Sequence, residues 1–430
     1  MALIVQKYGG TSVGDPERIQ VVAQRVVAAA DAGQRVCVVV SAMGRYTDEL
    51  LEKAAEISSA PHPRELDVLL SSGERISMAL LSMAINELGR DAVSFTGSQA
   101  GIVTDSVHGK ARIVDVRAKR VLEALDANRI VIVAGFQGVS TDLDITTLGR
   151  GGSDTSAVAL AAAIGADACE IYTDVKGVFT ADPSVVPDAR KLHVVSYEEM
   201  LELSASGAKV LMLRSVEYAR NHGVLIHVRS SFDLEEGTWV REEDRRMEQA
   251  IISAIAHDTS EAKVTVKAVP DRPGVAARVF RPLADANVNI DMIVQNSSED
   301  GTTDIFFTVP KDDLVRARPV LDSIAKEVGA QGIETDSDIA KISLVGAGMK
   351  THPGVAADMF DALADAGINI EIISTSSIRI SCVIAADQVE AAVRCIHERF
   401  ELSKEAILRE SHPETATGQL RALRADGDAP

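Results

Sequence analysis

Residues 147–166 read Thr147-Leu148-Gly149-Arg150-Gly151-Gly152-Ser153-Asp154-Thr155, followed by the small-residue run SAVALAAAIGA (156–166). A glycine-rich turn therefore runs straight into a helix built largely of alanine. Gly149, Gly151 and Gly152 have no Cβ to obstruct a phosphate or carboxylate, and positive φ at such positions aims successive N–H groups at one anion. Arg150 adds a planar, permanently charged fork suited to a carboxylate. Ser153 or Asp154 is placed to cap the helix, whose N-terminal dipole end also favours a negative ligand. The alanines allow this helix to pack closely under a sheet. The same pattern also serves as a plain strand-to-helix connection in which Asp154 is only an N-cap, and the rest of the chain decides between the two.

Working outward, Leu3–Lys7 reads as a buried strand that ends in Lys7-Tyr8-Gly9-Gly10-Thr11-Ser12. Asp15-Pro16 then starts a helix with apolar positions at Ile19, Val22, Ala23 and Val26, Gly33 ends it, and a second strand spans Val36–Val40. This is a βαβ opening with glycines at the carboxyl end of the first strand, where open α/β sheets bind ligands. Neither a G-x-x-x-x-G-K-[ST] loop nor a complete G-x-G-x-x-G is present, so a P-loop ATPase and a dinucleotide-binding dehydrogenase are both unsupported. Helical pattern runs from Asp48 past Pro61 and Pro63 to Leu88, interrupted at Ser72-Gly73-Glu74-Arg75, where the glycine marks a helix end or a bend that presents Glu74 to a cleft. Strands are expected at 92–96, 130–134 and 168–172, with a helix from about Asp115 to Ala127. Such alternation predicts a mostly parallel sheet covered on both faces.

The chain has 430 residues and a net charge of -19, enough length for two or three cores and no basic surplus for a nucleic-acid partner. Cys37, Cys169, Cys382 and Cys395 are scattered without C-x-x-C spacing and read as reduced packing residues. The opening MALIVQKYGG looks like a first strand and not a signal peptide, and no apolar run suggests a membrane span. A cytoplasmic protein with no membrane partner is expected.

Beyond Thr173-Asp174, the segment Gly177–Pro183 reads as a polar loop able to wrap a nucleotide, and a strand at 225–228 closes the sheet. Glu235–Arg246 mixes charges with little periodicity and reads as linker. An internal repeat follows: Pro273-Gly274-Val275-Ala276-Ala277, Phe280 and Asn289-Ile290 recur as Pro353-Gly354-Val355-Ala356-Ala357, Phe360 and Asn369-Ile370, at an offset of 80 residues. Each copy reads as a ferredoxin-like βαββαβ unit. The expected division is a catalytic α/β domain over 1–234, a linker over 235–260, repeats over 261–335 and 336–410, and a disordered tail over 411–430.

Taken together, Lys7-Tyr8-Gly9-Gly10-Thr11-Ser12, Ser72-Gly73-Glu74-Arg75, Gly149-Arg150-Gly151-Gly152-Ser153-Asp154-Thr155 and the paired repeats resemble aspartate kinases, in order and over nearly the whole chain. The likeness is to the actinobacterial type with two C-terminal ACT-type domains, and the motifs show no departure. The fold implied is an amino-acid-kinase αβα sandwich followed by two ACT-type units. The activity implied is transfer of the γ-phosphoryl group of ATP to the β-carboxylate of L-aspartate, feedback-inhibited through the repeats. On that resemblance Lys7, exposed at its strand end, stabilises the transferring group, and Asp154 organises the site. Thr47, Glu74, Arg150, Gly151, Gly152 and Ser153 bind aspartate, with Glu74 on its ammonium and Arg150 on its α-carboxylate. ATP lies against Lys7, Tyr8, Gly9, Gly10, Ser41, Ser153, Thr173, Asp174, Phe179, Thr180, Ala181, Asp182, Pro183, Ser184 and Lys209. Mg2+ is held mainly through the phosphates, with no protein metal cage.

The resemblance also implies lysine, threonine or both as effectors, and each Pro-Gly turn opens a helix N-terminus that suits an amino acid's carboxylate. Their contacts are Asp271, Gly274, Ala276, Val288, Asn289, Ile290 and Gln295 in the first repeat, and Asn369 and Ile370 in the second. Assembly is expected as a homo-oligomer or with a separate regulatory subunit starting at Met247. The alternatives are a glutamate 5-kinase, an acetylglutamate kinase or a non-catalytic amino-acid sensor. The paired repeats and Arg150 argue against the first two, and intact Lys7, Glu74, Arg150 and Asp154 against the third.

Overall fold

The apolar runs at the start of the chain are buried on both faces, and this places them in the middle of a parallel sheet. The computed structural model describes residues 1–242, 252–295, 301–352 and 354–404. Met247, Pro353 and the tail over 411–430 lie outside them. In chain order the first half comprises β1 (Leu3–Tyr8), α1 (Pro16–Asp31), β2 (Arg35–Val40), α2 (Tyr46–Ile57), α3 (Pro63–Leu70), α4 (Ser72–Glu87) and β3 (Ala92–Phe95). There follow β4 (Ile102–Thr104), β5 (Ile113–Val116), α5 (Lys119–Asp126), β6 (Ile130–Ala134), β7 (Gln137–Ser140), β8 (Ile145–Thr147) and α6 (Gly152–Ile164). The domain closes with β9 (Ala168–Thr173), β10 (Val194–Ser196), α7 (Tyr197–Ala205), α8 (Leu213–His222), β11 (Ile226–Ser230) and β12 (Thr238–Arg241).

The main sheet has the order β10-β12-β11-β9-β1-β2-β6-β3, parallel except where β12 runs against β11. The order reverses at β1, with β2 on one side and β9 on the other. The carboxyl end of β1 is therefore a topological switch point, and Lys7 stands there. Beyond its polar start, helix α6 is apolar on every side and packs on β1, β2 and β9, which its alanines allow at close range. On the opposite face α1 and α4 pack together, with Ile19, Val22, Leu81 and Ile85 meeting the sheet.

The segment expected as one helix from Asp115 instead holds the end of β5 and then α5. β5 belongs to a small sheet, β5-β4-β7-β8, whose short strands carry no periodicity long enough to be read in the sequence. The α3–α4 stretch (63–87) is apolar and long enough by composition to cross a membrane, a correction to the expectation that no such run exists. It is broken after Leu70 and packs Leu81 and Ile85 into the core.

The second half comprises β13 (Ala254–Asp258), β14 (Glu261–Pro270), α9 (Val275–Asp285), β15 (Asp291–Gln295), β16 (Thr302–Pro310), α10 (Lys311–Val328) and β17 (Gly332–Asp336). After it come β18 (Ile339–Val345), α11 (Val355–Asp365), β19 (Ile372–Thr375), β20 (Arg379–Ala385) and α12 (Val389–Arg399). The first repeat forms a sheet of order β15-β16-β14-β17, which is ferredoxin-like. The second forms β13-β18-β20-β19.

Two boundary expectations are corrected here. Residues 235–260 are not a linker throughout: β12 completes the catalytic sheet and β13 pairs antiparallel with β18, Ala254 opposite Val345. The fourth strand of the second repeat's sheet is thus supplied from ahead of the first repeat. Edge pairing of this kind satisfies backbone groups whatever the distance along the chain, so the repeat pattern alone did not reveal it.

Candidate active site

Lys7 is the penultimate residue of β1, a strand buried along its whole length, and Asp154 stands in the first turn of α6. Their side chains meet, with Lys7 Nζ 2.6 Å from Asp154 Oδ1, and both are largely buried. This corrects two expectations. Lys7 is 9% exposed, not a free strand-end lysine. Neither Ser153 nor Asp154 caps α6, because Gly151 is its N-cap, at φ 70°, and Asp154 is committed to Lys7.

Close approach requires two of the glycines around this pair. A Cβ on Gly10 would lie 2.9 Å from the Gly44 carbonyl oxygen, whereas one on Gly9 would make only ordinary contact with Lys7 Nζ, at 3.4 Å. At Gly151 a Cβ would sit 1.9 Å from Met212 Cγ, in addition to the left-handed backbone. The floor is completed by Gly135, whose missing side chain makes room for Ser153, and by the Ser12–Ser231 hydroxyl contact of 2.6 Å.

Glu74 arrives from another direction. The α3–α4 junction at Ser71 lets α4 begin against the loop after β2, and a Cβ on Gly73 would be 2.8 Å from Ala42 Cβ. Glu74 Oε1 accepts a hydrogen bond from the Ala42 N–H at 3.2 Å, while Oε2 is buried with no partner among the described residues. Burial raises its pKa to about 7, against the opposing pull of hydrogen bonds from its own and the Ala42 backbone N–H. A buried carboxylate with one orphan oxygen is suited to a cation that arrives from outside. The Ala42 carbonyl oxygen also stands 3.0 Å from where a Cβ on Gly10 would lie, so Glu74 and the loop after β2 close on the glycines that follow Lys7 and line one wall with them.

Arg150 is exposed beside this wall and makes no ion pair among the described residues, and Thr47 is half-buried in the first turn of α2. The two thus stay available to a ligand. Ser41 and Thr173 are half-buried and Asp174 exposed, at the carboxyl ends of β2 and β9. Lys209 is exposed on the turn between α7 and α8. Three expected nucleotide contacts are buried in this structure. Tyr8 is fully buried and stacks on Tyr172 at 4.7 Å. Thr180 and Ala181 point into the regulatory half: Thr180 Oγ1 lies 3.0 Å from His397 Nε2, and Ala181 joins the core of the second repeat. Phe179, Asp182, Pro183 and Ser184 keep partial or full exposure.

In the first repeat Asp271, Gly274, Ala276, Asn289 and Gln295 are exposed and Ile290 half-buried, with Gly274 the left-handed N-cap of α9. Val288 packs inside the core of the repeat, between the exposed positions expected to contact an effector. Asn369 is exposed and Ile370 half-buried.

Sequence reasoning missed Ala42, Gly135, Met212 and Ser231. Only Gly135 left a signal, as the glycine that ends the apolar run of β6. Among the described residues no three His, Cys, Asp or Glu side chains converge as metal ligands. The donors on the wall are instead an ammonium, a guanidinium and backbone N–H groups, which fits a magnesium ion carried by nucleotide phosphates.

Residues 2–230 match the amino acid kinase family, and residues 264–328 and 342–400 each match the ACT domain. The chain is 59% identical to an aspartokinase of Mycolicibacterium smegmatis, covering 94% of this chain and 97% of the relative. It is 57% identical to an aspartokinase of Corynebacterium glutamicum over the same shares. Among solved structures, E. coli aspartokinase III in complex with aspartate and ADP is similar at a TM-score of 0.78 and 25% identity, over 92% of this chain and 99% of that one. The same enzyme in complex with lysine and aspartate gives a TM-score of 0.71 and 26% identity, over 93% and 99%. With a kinase wall at the switch point of its sheet and two ACT domains behind it, the chain belongs to the aspartokinases of the amino acid kinase family.

Proposed function

We propose that this aspartokinase transfers the γ-phosphoryl group of ATP to the β-carboxylate of L-aspartate, giving 4-phospho-L-aspartate for lysine, threonine and methionine synthesis. The carrying observation is the wall itself, a buried Lys7–Asp154 pair joined through Gly10 and Ala42 to a carboxylate with an unpartnered oxygen. The acceptor carboxylate is already ionised at neutral pH and needs no general base. Its oxygen forms a bond to the γ-phosphorus as the bond from phosphorus to the β,γ-bridging oxygen breaks, and ADP leaves with that electron pair. Catalysis is then positioning and neutralisation of charge.

Lys7 supplies the cation facing the transferring group, and Asp154 holds its ammonium in place. Glu74 Oε2 takes the ammonium of aspartate and Arg150 its α-carboxylate, so the β-carboxylate is the end left to react. Magnesium, when bound, adds charge neutralisation on the phosphates. The aspartate- and ADP-bound relative of the same fold supports this choice of ligands, and the lysine-bound one supports an amino-acid effector, which we assign to the ACT domains. We extend this to feedback inhibition by lysine, threonine or both, to a cytoplasmic location and to assembly of more than one chain.

ATP consumption with aspartate, glutamate and N-acetylglutamate offered separately tests the reading. Turnover with aspartate alone is expected. A preference for either other acceptor overturns the substrate, and no turnover with any of them points to a sensor.

A further inference from the structure

Asp67 on α3 is 1% exposed, lies outside every motif discussed above and accepts hydrogen bonds from three sources. His108 Nδ1 lies 2.7 Å from Oδ2, the Gly109 N–H reaches both oxygens at 3.1 Å, and Thr147 Oγ1 donates to Oδ1 at 2.6 Å. A buried carboxylate satisfied in this way restrains whatever its donors belong to, because moving any of them takes a donor from a buried oxygen that water cannot reach.

Those donors flank the glycine turn. Thr147 is the last residue of β8, immediately before Leu148-Gly149-Arg150. The Gly109 carbonyl oxygen lies against Gly149, where an added Cβ would be only 3.1 Å away. The same two segments are tied from the other side by Arg214, whose guanidinium donates to the Leu148 and Ala111 carbonyls at 2.8 and 3.0 Å. Asp67 itself stands on the helix that leads through Ser71 into α4 and Glu74, and Gln137 Nε2 holds that junction by a 2.8 Å bond to the Ser71 carbonyl.

We infer that Asp67 is a positioning residue for the acceptor amino acid, setting the span between Glu74 and the turn that carries Arg150. This rests on the reading of those two residues as the ammonium and α-carboxylate contacts. Both groups hang from one carbon of the substrate, so their protein partners must keep a fixed separation, and a small misplacement is costly. Asp67 ties the two elements together directly through Thr147, beside the bond that Gln137 makes to Ser71. It touches no reacting atom, and its effect falls on amino-acid binding and not on ATP.

The experiment compares steady-state kinetics of Asp67→Asn and Thr147→Val with aspartate and ATP varied in turn, beside thermal melts and an Arg150→Lys control. Asp67→Asn faces the N–H and hydroxyl donors with an amide, and is expected to raise the aspartate KM about tenfold or more, with the ATP KM within about twofold. Thr147→Val removes one donor and keeps the shape, and is expected to raise the aspartate KM by about threefold to tenfold. Should Asp67→Asn fail to fold, Thr147→Val decides alone. An unchanged aspartate KM in the folded variants overturns the inference, as does an equal rise in both KM values together with a lowered Tm, the mark of a merely structural carboxylate. If Arg150→Lys leaves the aspartate KM unchanged, the assignment of Arg150 fails and the inference falls with it. If Arg150→Lys raises it and the other two variants do not, only the inference falls.

Discussion

Lys341 Nζ lies 2.8 Å from Asp291 Oδ2, with no part of the Lys341 side chain exposed, so a cation of the second repeat is neutralised inside the first. Glu261 Oε1 lies at the same distance, and the Ala205 carbonyl at the end of α7 is 3.4 Å away. Burial works to lower the lysine pKa, and the two carboxylates outweigh it, leaving the ammonium above its ordinary range. Three parts of the molecule, the two repeats and the catalytic half, therefore meet at one charge. Lys341→Met should destabilise the protein by about 3 kcal/mol, the low end for a broken buried pair because Asp291 retains partial exposure. Adding Glu261→Gln and Asp291→Asn should recover at least half of that loss. Thermal melts decide, and identical melting of parent and Lys341→Met would remove the assignment of this pair as a staple.

Lys7→Ala should cut kcat by at least about 10²-fold, since loss of one preorganised charge at a developing anion typically costs about 3 kcal/mol. It should also lower stability, because Asp154 is left as a largely buried, unpaired carboxylate. Pairing the change with Asp154→Asn should restore the melting temperature without restoring turnover. Turnover near that of the parent in Lys7→Ala would refute the role of Lys7.

What was legible in the sequence had local causes. Glycines before α6, the Asp15-Pro16 start of α1 and the apolar runs of β1, β2 and β6 each carry their own reason for their conformation, and the elements appear where those reasons place them. The second repeat was legible as a pattern, but its edge strand was not, because β13 and β18 are separated by the entire first repeat. In the candidate site Lys7, Glu74 and Asp154 could be found, yet their burial could not. Burial depends on Ala42, Gly135 and Met212, which are ordinary residues brought to the wall only by packing. Thr180 and Ala181 show the same limit, since a polar loop in sequence became a seam between domains.

The pH dependence of aspartate binding should follow Glu74. Its pKa in the unliganded protein stands at about 7, raised by burial, and only the ionised form attracts the substrate ammonium. The aspartate KM should be flat above about pH 7 and rise below it, approaching tenfold per pH unit, while the ATP KM shows no such component. The stability sign is the reverse: a raised acid contributes stability that is full below the ordinary carboxylate range and lost as pH rises through about 7. Glu74→Gln should therefore melt above the parent at pH 8 without aspartate, bind aspartate poorly, and lose the pH component. An aspartate KM profile in Glu74→Gln that still bends near pH 7 would assign the titration to another group.

The last prediction concerns the seam between the loop over 179–186, proposed to meet the nucleotide, and the regulatory half. Thr180 Oγ1 lies 3.0 Å from His397 Nε2 on α12 and accepts from the Arg190 N–H at 2.9 Å, while the Thr180 carbonyl accepts from the Ile255 N–H on β13 at 2.8 Å. Arg394 of the same helix donates to the Val185 carbonyl at 2.9 Å. The loop over 179–186 is thus anchored at both ends to one regulatory helix and strand, with Phe179 and 182–184 left facing outward. Burial holds His397 below its ordinary pKa, so it is neutral at pH 7 and its bond to Thr180 costs no buried charge. His397→Phe keeps a ring in the space and removes that bond. Freed at one anchor, the loop must be ordered by the nucleotide at binding, which should raise the ATP KM by about threefold to tenfold, with the aspartate KM within about twofold. Because the anchor stands on the regulatory half, inhibition by lysine or threonine should weaken in the same variant, since an effector acts only through elements whose position differs between active and inhibited states. Kinetics with each substrate varied, with and without effector, provide the check. An unchanged ATP KM with unchanged inhibition would mean that this seam holds the domains together without conveying anything to the nucleotide.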